Sequence, residues 1–269
     1  MARKKIVFVI VEGPSDEDAL GAILSRIYDS SSLYVHITHG DITTRFSGKP
    51  NENIVTMIAT EIRGYSESNH YGKSDFKEII HIVDMDGAYI PNDNVVEDAS
   101  VIKPFYSLTE IRTHNKQGIE HRNERKGDNI NRLCGCKKIW GSIPYRVFYM
   151  SCNLDHVLYD KMNSSDEQKE TDSLKFAKAY KDKLPEFLDY ISKSDFSVVN
   201  GYRESWDFIK QDLHSLERYT NLGLCFEENN TPQLDWSELH AKLKKGYDDI
   251  EAGNVQNATE VFAKFREKH

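Results

Sequence analysis

The sequence lacks any long hydrophobic run. No stretch approaches the ~20 apolar residues that a membrane-spanning helix needs, so no membrane partner is expected. An excess of positive charge is also missing: 35 Lys and Arg stand against 43 Asp and Glu, a formal net charge of −8. That balance excludes a generally basic nucleic-acid binder, and a polyanion must be met by a local patch or by a metal ion. Cysteine is scarce, with four residues at Cys134, Cys136, Cys152 and Cys225. The opening Met-Ala-Arg-Lys-Lys precedes only six apolar residues, too few for a signal peptide, so a cytoplasmic chain with reduced thiols is expected. Repeats, low-complexity tracts and coiled-coil heptads are absent as well. What remains is a globular composition in 269 residues, long enough to bury a sizeable core.

Three apolar runs organise the chain. Ile6 to Val11 is β-branched or aromatic throughout and stops at Glu12-Gly13-Pro14, which reads as a buried central strand of a parallel sheet with a carboxylate at its exit. Ser15 reads as the N-cap of a helix carrying Leu20, Ile23, Leu24 and Ile27, with Asp18 completing an imperfect capping box. A strand over Leu33 to Thr38 and a helix over Asn53 to Tyr65 lead to the second run, Ile79 to Val83. This run ends in Asp84-Met85-Asp86-Gly87, and alternation along an extended chain puts Asp84 and Asp86 on one face. The third run, Tyr145 to Met150, is followed by a helix over Leu154 to Met162 with Asp155 and His156. Ligands of open α/β sheets sit outside the carboxyl ends of the strands, so Glu12, Asp84 and Asp86 are offered to a ligand. Their all-oxygen chemistry suits Mg²⁺ or Mn²⁺ rather than zinc.

Glu12-Gly13 after one apolar strand and Asp84-x-Asp86-Gly87 after another, about seventy residues on, resembles the TOPRIM domain. That domain is shared by topoisomerases, bacterial primases, small ribonucleases and OLD-type (overcoming lysogenization defect) nucleases. The resemblance covers residues 4 to 88 and, as a closing strand, 143 to 160. It implies an α/β fold, a TOPRIM-like parallel sheet flanked by helices with an appended C-terminal helical region. The domains are then 1–160, with a basic insertion at about 89–142, and 161–269. It implies Mg²⁺-dependent phosphodiester hydrolysis of DNA or RNA, with Glu12 as metal ligand or general acid/base and Asp84 and Asp86 as metal ligands. Asp16 matches a further metal-binding position of OLD-type enzymes. Stand-alone TOPRIM proteins of this size resemble effectors of bacterial phage defence, which implies a protein partner in such a system. OLD-type enzymes also place a basic residue near a second ion. No lysine here matches that pattern, and Lys103 and Lys161 are guesses.

Arg112 to Lys138 is the one basic region, with eight Lys or Arg against Glu120, Glu124 and Asp128. It is read as irregular chain whose Arg122, Arg125, Lys126, Lys137 and Lys138 track a phosphate backbone, or as a solvated loop. Cys134-x-Cys136 with His114 and His121 lacks the usual zinc spacing. Apolar stripes over 176–191, 206–216, 236–243 and 255–265 predict a helical tail, with Pro185 starting a new helix or kinking the old one. The alternative to a nuclease is a metal-retaining TOPRIM binding or scaffold protein that regulates a partner without cutting.

Overall fold

The computed structural model describes residues 4–28, 33–45 and 53–227. The chain falls into two units, Met1–Cys225 and Phe226–His269, and every helix and strand among the described residues belongs to the first. The helices expected over 236–243 and 255–265 lie outside the described residues.

In chain order the first unit runs β1 (Lys5–Val11), α1 (Pro14–Tyr28), β2 (Leu33–His39), α2 (Ile54–Ser68) and β3 (Phe76–Asp84). A small sheet of β4 (Val95–Glu97), β5 (Phe105–Tyr106) and β6 (Ile111–Thr113) follows, and then α3 (Lys116–Cys134). The hairpin of β7 (Lys138–Ile139) and β8 (Ile143–Ser151) precedes α4 (Leu154–Tyr159), α5 (Asp166–Tyr180), α6 (Leu184–Lys193), α7 (Tyr202–Ile209) and β9 (Tyr219–Thr220). The main sheet has the order β2-β1-β3-β8-β7, with β9 on the far half of β8. Neighbours from β2 to β8 are parallel, while β7 and β9 are antiparallel to β8.

All six apolar residues of β1 are buried, as a central strand between two helical layers requires. The β1-to-β2 crossover runs one way and the β2-to-β3 crossover the other. Right-handed connections therefore put α1 and α2 on opposite faces. Ile6, Phe8 and Ile10 of β1 pack with α2, with Ile130 and Leu133 of α3 and with Trp206 and Ile209 of α7. α1 lies against β1 and β2, with α5 packed onto it. The strand order reverses between β1 and β3, so the crevice outside their carboxyl ends is the topological switch point of the sheet.

Several expectations change here. α1 starts at Pro14, and Asp16, not Ser15, serves its cap by accepting from the Gly13 N–H at 2.8 Å. The region read as irregular holds α3, a helix of 19 residues. Pro185 does open a new helix, α6. The boundary expected after residue 160 falls inside the first unit, because α5 packs on α1 and β9 extends the main sheet.

Candidate functional site

Glu12 follows β1 directly, and Asp84 is the last residue of the neighbouring β3. The chain does not stay extended to Asp86. The backbone N–H groups of Met85 and Asp86 donate to the Cys152 carbonyl at 3.0 and 2.7 Å, and Asp86 and Gly87 turn with φ of 49° and 71°. This left-handed turn swings Asp86 back toward Glu12. Asp84 accepts from the Leu154 N–H at the start of α4, at 2.9 Å.

Lys126 closes this arrangement. Its side chain, with 0% exposure, runs from α3 into the acids, where the ammonium lies 3.3 Å from Glu12 and against the Asp86 carboxylate. A buried ammonium survives only when paired, and here two carboxylates hold it. Burial works against its charge, but Asp86 and Glu12 outweigh burial and hold the lysine protonated. Burial alone would raise Asp86 as well, yet Lys126 and Arg122 overcome it and keep that carboxyl below the usual range. Arg122 donates to the Asp86 carbonyl at 2.7 Å and also reaches the Tyr106 hydroxyl.

One ammonium does not compensate three partly buried acids. Glu12 is pushed up to about 8, by burial first and then by Asp86, Asp41 and Asp16 against the pull of Lys126. Asp84 is raised well above its ordinary value by burial and by the surrounding carboxylates. The Thr43 hydroxyl lies 3.3 Å from Glu12 and 3.0 Å from Asp41, so the loop after β2 adds a further acid to the rim.

A second group adjoins the first. Asp16 is buried and pushed up to about 6, by burial first, with the Gly13 N–H opposing and Asp155 adding repulsion. Asp155, 3% exposed, pairs with Lys169 of α5 at 3.5 Å. Asp16, Asp84 and Asp155 all help to hold Lys169 protonated, although burial opposes this. A cleft of about 490 Å³ between the starts of α1 and α5 opens beside them, lined by Gly13, Ser15, Asp18 and Lys169 among others.

The structure thus brings Glu12, Asp16, Asp84 and Asp86 to one place. It corrects the reading of Lys126 as a surface residue tracking phosphates, because that side chain is buried inside the acids. Arg122 is half-buried on Asp86, whereas Arg125, Lys137 and Lys138 are exposed. The guess Lys161 pairs with Asp172 at the surface, and Lys103 is exposed. Sequence reasoning named Lys126 but for the surface instead of the acid group, and it missed Lys169. The signal for Lys126 was its place in a basic helix three residues after Asn123 and four before Ile130, all four of Asn123, Lys126, Gly127 and Ile130 being buried.

The donor set is the kind a hard divalent cation takes, all carboxylate oxygen with more acid than base. Among the described residues, however, no group of three or more His, Cys, Asp or Glu side chains is disposed to hold a metal ion, and the cation between Glu12 and Asp86 is the Lys126 ammonium. No helix of the described residues is long and apolar enough to cross a membrane. No family model, curated protein or solved structure matches the chain, so the functional reading rests on this site.

Proposed function

We propose that the protein hydrolyses phosphodiester bonds of nucleic acid with Mg²⁺ or Mn²⁺, in the manner of a TOPRIM nuclease. One observation carries the reading: partly buried carboxylates outnumber the cations paired with them at the exits of two neighbouring central strands, at the switch point of the sheet. A group of acids held uncompensated costs stability, and such strain collects at functional sites. Glu12, Asp84 and Asp86 are the residues to hold a cation, with Asp16 as a further ligand. Bound there, a divalent ion supplies Lewis-acid polarisation of a phosphoryl oxygen and a lowered pKa for a water molecule.

The chain's own groups have separate tasks. Lys126 is a fixed, dry positive charge that holds the Glu12 and Asp86 carboxyl groups together. Glu12, pushed up to about 8 by burial in the metal-free site, is suited to hand a proton to a leaving oxygen where it does not itself ligate the ion. Arg122 holds the Asp86 turn in place, and Arg125, Lys137 and Lys138 remain on the surface to meet phosphates.

The test is incubation of the protein with plasmid DNA and with structured RNA, with and without Mg²⁺ or Mn²⁺. Metal-dependent nicking that disappears in the Glu12→Gln, Asp84→Asn double variant is expected, and cleavage that survives in it removes the proposal. A second reading has its own support: the Lys126 ammonium already stands between Glu12 and Asp86, as in a site neutralised from within. On that reading the protein is a non-cutting scaffold. It predicts Mn²⁺ binding without cleavage of any nucleic acid offered.

A further inference from the structure

The two sides of the main sheet end differently. Beyond β8 lie only β7 and β9, strands of 2 residues each, too short to serve as templates for another chain. On the other side β2 pairs with β1 along all 7 of its residues, without a bulge, and among the described residues no strand pairs with its outer side. The backbone groups of a strand point alternately each way, so β2 presents a row of unused donors and acceptors. Edges that must stay single are broken by a charged side chain, a proline or a bulge. β2 reads Leu-Tyr-Val-His-Ile-Thr-His and has none of these.

The face of β2 toward α2 carries both a protruding ring and a groove. Tyr34, His36 and Thr38 alternate onto that face, where His36 stacks on Tyr65 of α2 with ring centres 3.8 Å apart. Tyr34 is 47% exposed, a large ring left in solvent. A groove of about 380 Å³ lies between β2 and α2, lined by His36, Thr38, Gly64 and Tyr65 among others. Gly64 leaves it open on the helix side, being exposed and with no atom within 4 Å of where a Cβ would stand. Charges beside the edge are matched within the chain: Glu61 pairs with Arg45 at 2.9 Å, and Glu17 lies 3.1 Å from the His39 ring.

We infer that β2 pairs antiparallel with β2 of a second copy of this chain, about a two-fold axis that passes through His36 perpendicular to the sheet. Such an axis keeps each face of the sheet on its own side. It sets Leu33 against His39, Tyr34 against Thr38, Val35 against Ile37 and His36 against itself, and no other register overlaps the whole strand. Tyr34 of each copy then stands across from Thr38 of the other, at the other's open groove, and this contact occurs twice, as an isologous interface requires. On the opposite face Val35 and Ile37 form β-branched cross-strand pairs. A strand of another protein could use the backbone edge, but a ring and a groove four residues apart on one face are matched by the same strand reversed. The strand exits of the two copies point in opposite directions, so their acid crevices open at opposite ends of one continuous sheet.

The experiment is sedimentation equilibrium of the full chain at pH 8, where a reversible dimer is expected. Tyr34→Asp removes the ring, and Gly64→Leu fills the groove from the helix side while favouring the helix. Each should raise the dimer Kd about tenfold or more with an unchanged circular-dichroism spectrum. The register is read by cross-linking with oxidised glutathione, which takes up the two thiol hydrogens and leaves as two thiols. His36→Cys should give a disulfide-linked dimer, because residues facing across the axis have Cα atoms about 4.5–5.5 Å apart, within disulfide reach. Tyr34→Cys should not, and neither should the parent with its own four cysteines. If His36→Cys does not fold, hydrogen exchange decides: β2 amides of the parent should exchange more slowly as its concentration rises. A parent that stays monomeric at about 100 μM, a dimer unaffected by both Tyr34→Asp and Gly64→Leu, or cross-linking by Tyr34→Cys in place of His36→Cys overturns the inference. Glu12→Gln should dimerise as the parent does, so loss of the nuclease proposal leaves this result standing.

Discussion

At the scale of single residues, Lys126 and Glu12 decide how the site is charged. Removing one partner of a buried ion pair leaves the other uncompensated, at a cost of about 3–5 kcal/mol. Lys126→Gln should therefore lower stability by about that amount in urea unfolding at pH 8, and by less at pH 5, where the acids it abandons can take up protons. Equal losses at both pH values would mean that the lysine acts by packing alone. Glu12 is raised from 4.5 to about 8 in the fold, so the folded chain holds a proton there that the unfolded chain has released. Its stabilising share is complete below pH 4.5 and is lost as pH rises toward 8. His81 behaves oppositely. Buried at 0% exposure, it sits 2.8 Å from the Tyr145 hydroxyl and is lowered by burial from 6.5 to about 3. Its share is complete above pH 6.5 and lost as pH falls toward 3. Thermal midpoints measured from pH 3 to 9 should thus fall at both ends. His81→Leu should flatten the acid limb and leave the alkaline one, whereas Glu12→Gln should flatten the alkaline limb.

At the scale of elements, the turn that ends β3 is the tightest constraint on the site. Gly87 has φ of +71°, and a Cβ there would lie 2.9 Å from both Ile111 and Leu216. A left-handed alanine costs about 1–2 kcal/mol and overpacking about 1–3 kcal/mol more. Gly87→Ala should therefore destabilise by about 2–5 kcal/mol. Because Asp86 precedes it, Mn²⁺ binding should weaken even at temperatures where the variant stays folded. Unchanged stability would show that β6 and the 213–216 segment yield easily. This turn was only partly legible beforehand: Asp84-x-Asp86-Gly87 marked where β3 ends, but an extended chain was expected where the backbone reverses onto Cys152. β1, β3 and β8 were legible because both of their faces are buried, which leaves unbroken apolar runs. α3 was not, and the reason is physical. The face it buries carries Asn123, Lys126 and Gly127 besides Ile119, Ile130 and Leu133, since the middle of the helix looks into a polar site while Ile119 joins a small apolar cluster and Ile130 and Leu133 join the main core. Apolar periodicity cannot report a helix whose buried face is meant for carboxylates. The pairing of Asp155 with Lys169 was hidden for a related cause. Their meeting depends on α5 packing across α1, a long-range arrangement with no local pattern.

For the whole molecule, the net charge of −8 and the acids gathered at one crevice make self-repulsion the field in which any polyanion must bind. A divalent ion relieves that repulsion and should stabilise the folded chain by mass action, about 2.7 kcal/mol at a concentration a hundred times its Kd. For a unit of this size that is a rise of roughly 5–10 °C in the thermal midpoint, reversed by chelator. Asp84→Asn should abolish the rise. Lys126→Gln discriminates further, because its ammonium and a divalent ion draw on the same two carboxylates. If they compete, the variant loses stability without metal but gains more from Mn²⁺ than the parent does, and its Kd for the ion falls. If the lysine instead helps to build the site, Mn²⁺ gives less in the variant than in the parent. The geometry, with one ammonium between Glu12 and Asp86, makes the first outcome the expected one. A smaller Mn²⁺ shift in Lys126→Gln than in the parent would show that the lysine and the ion occupy different places.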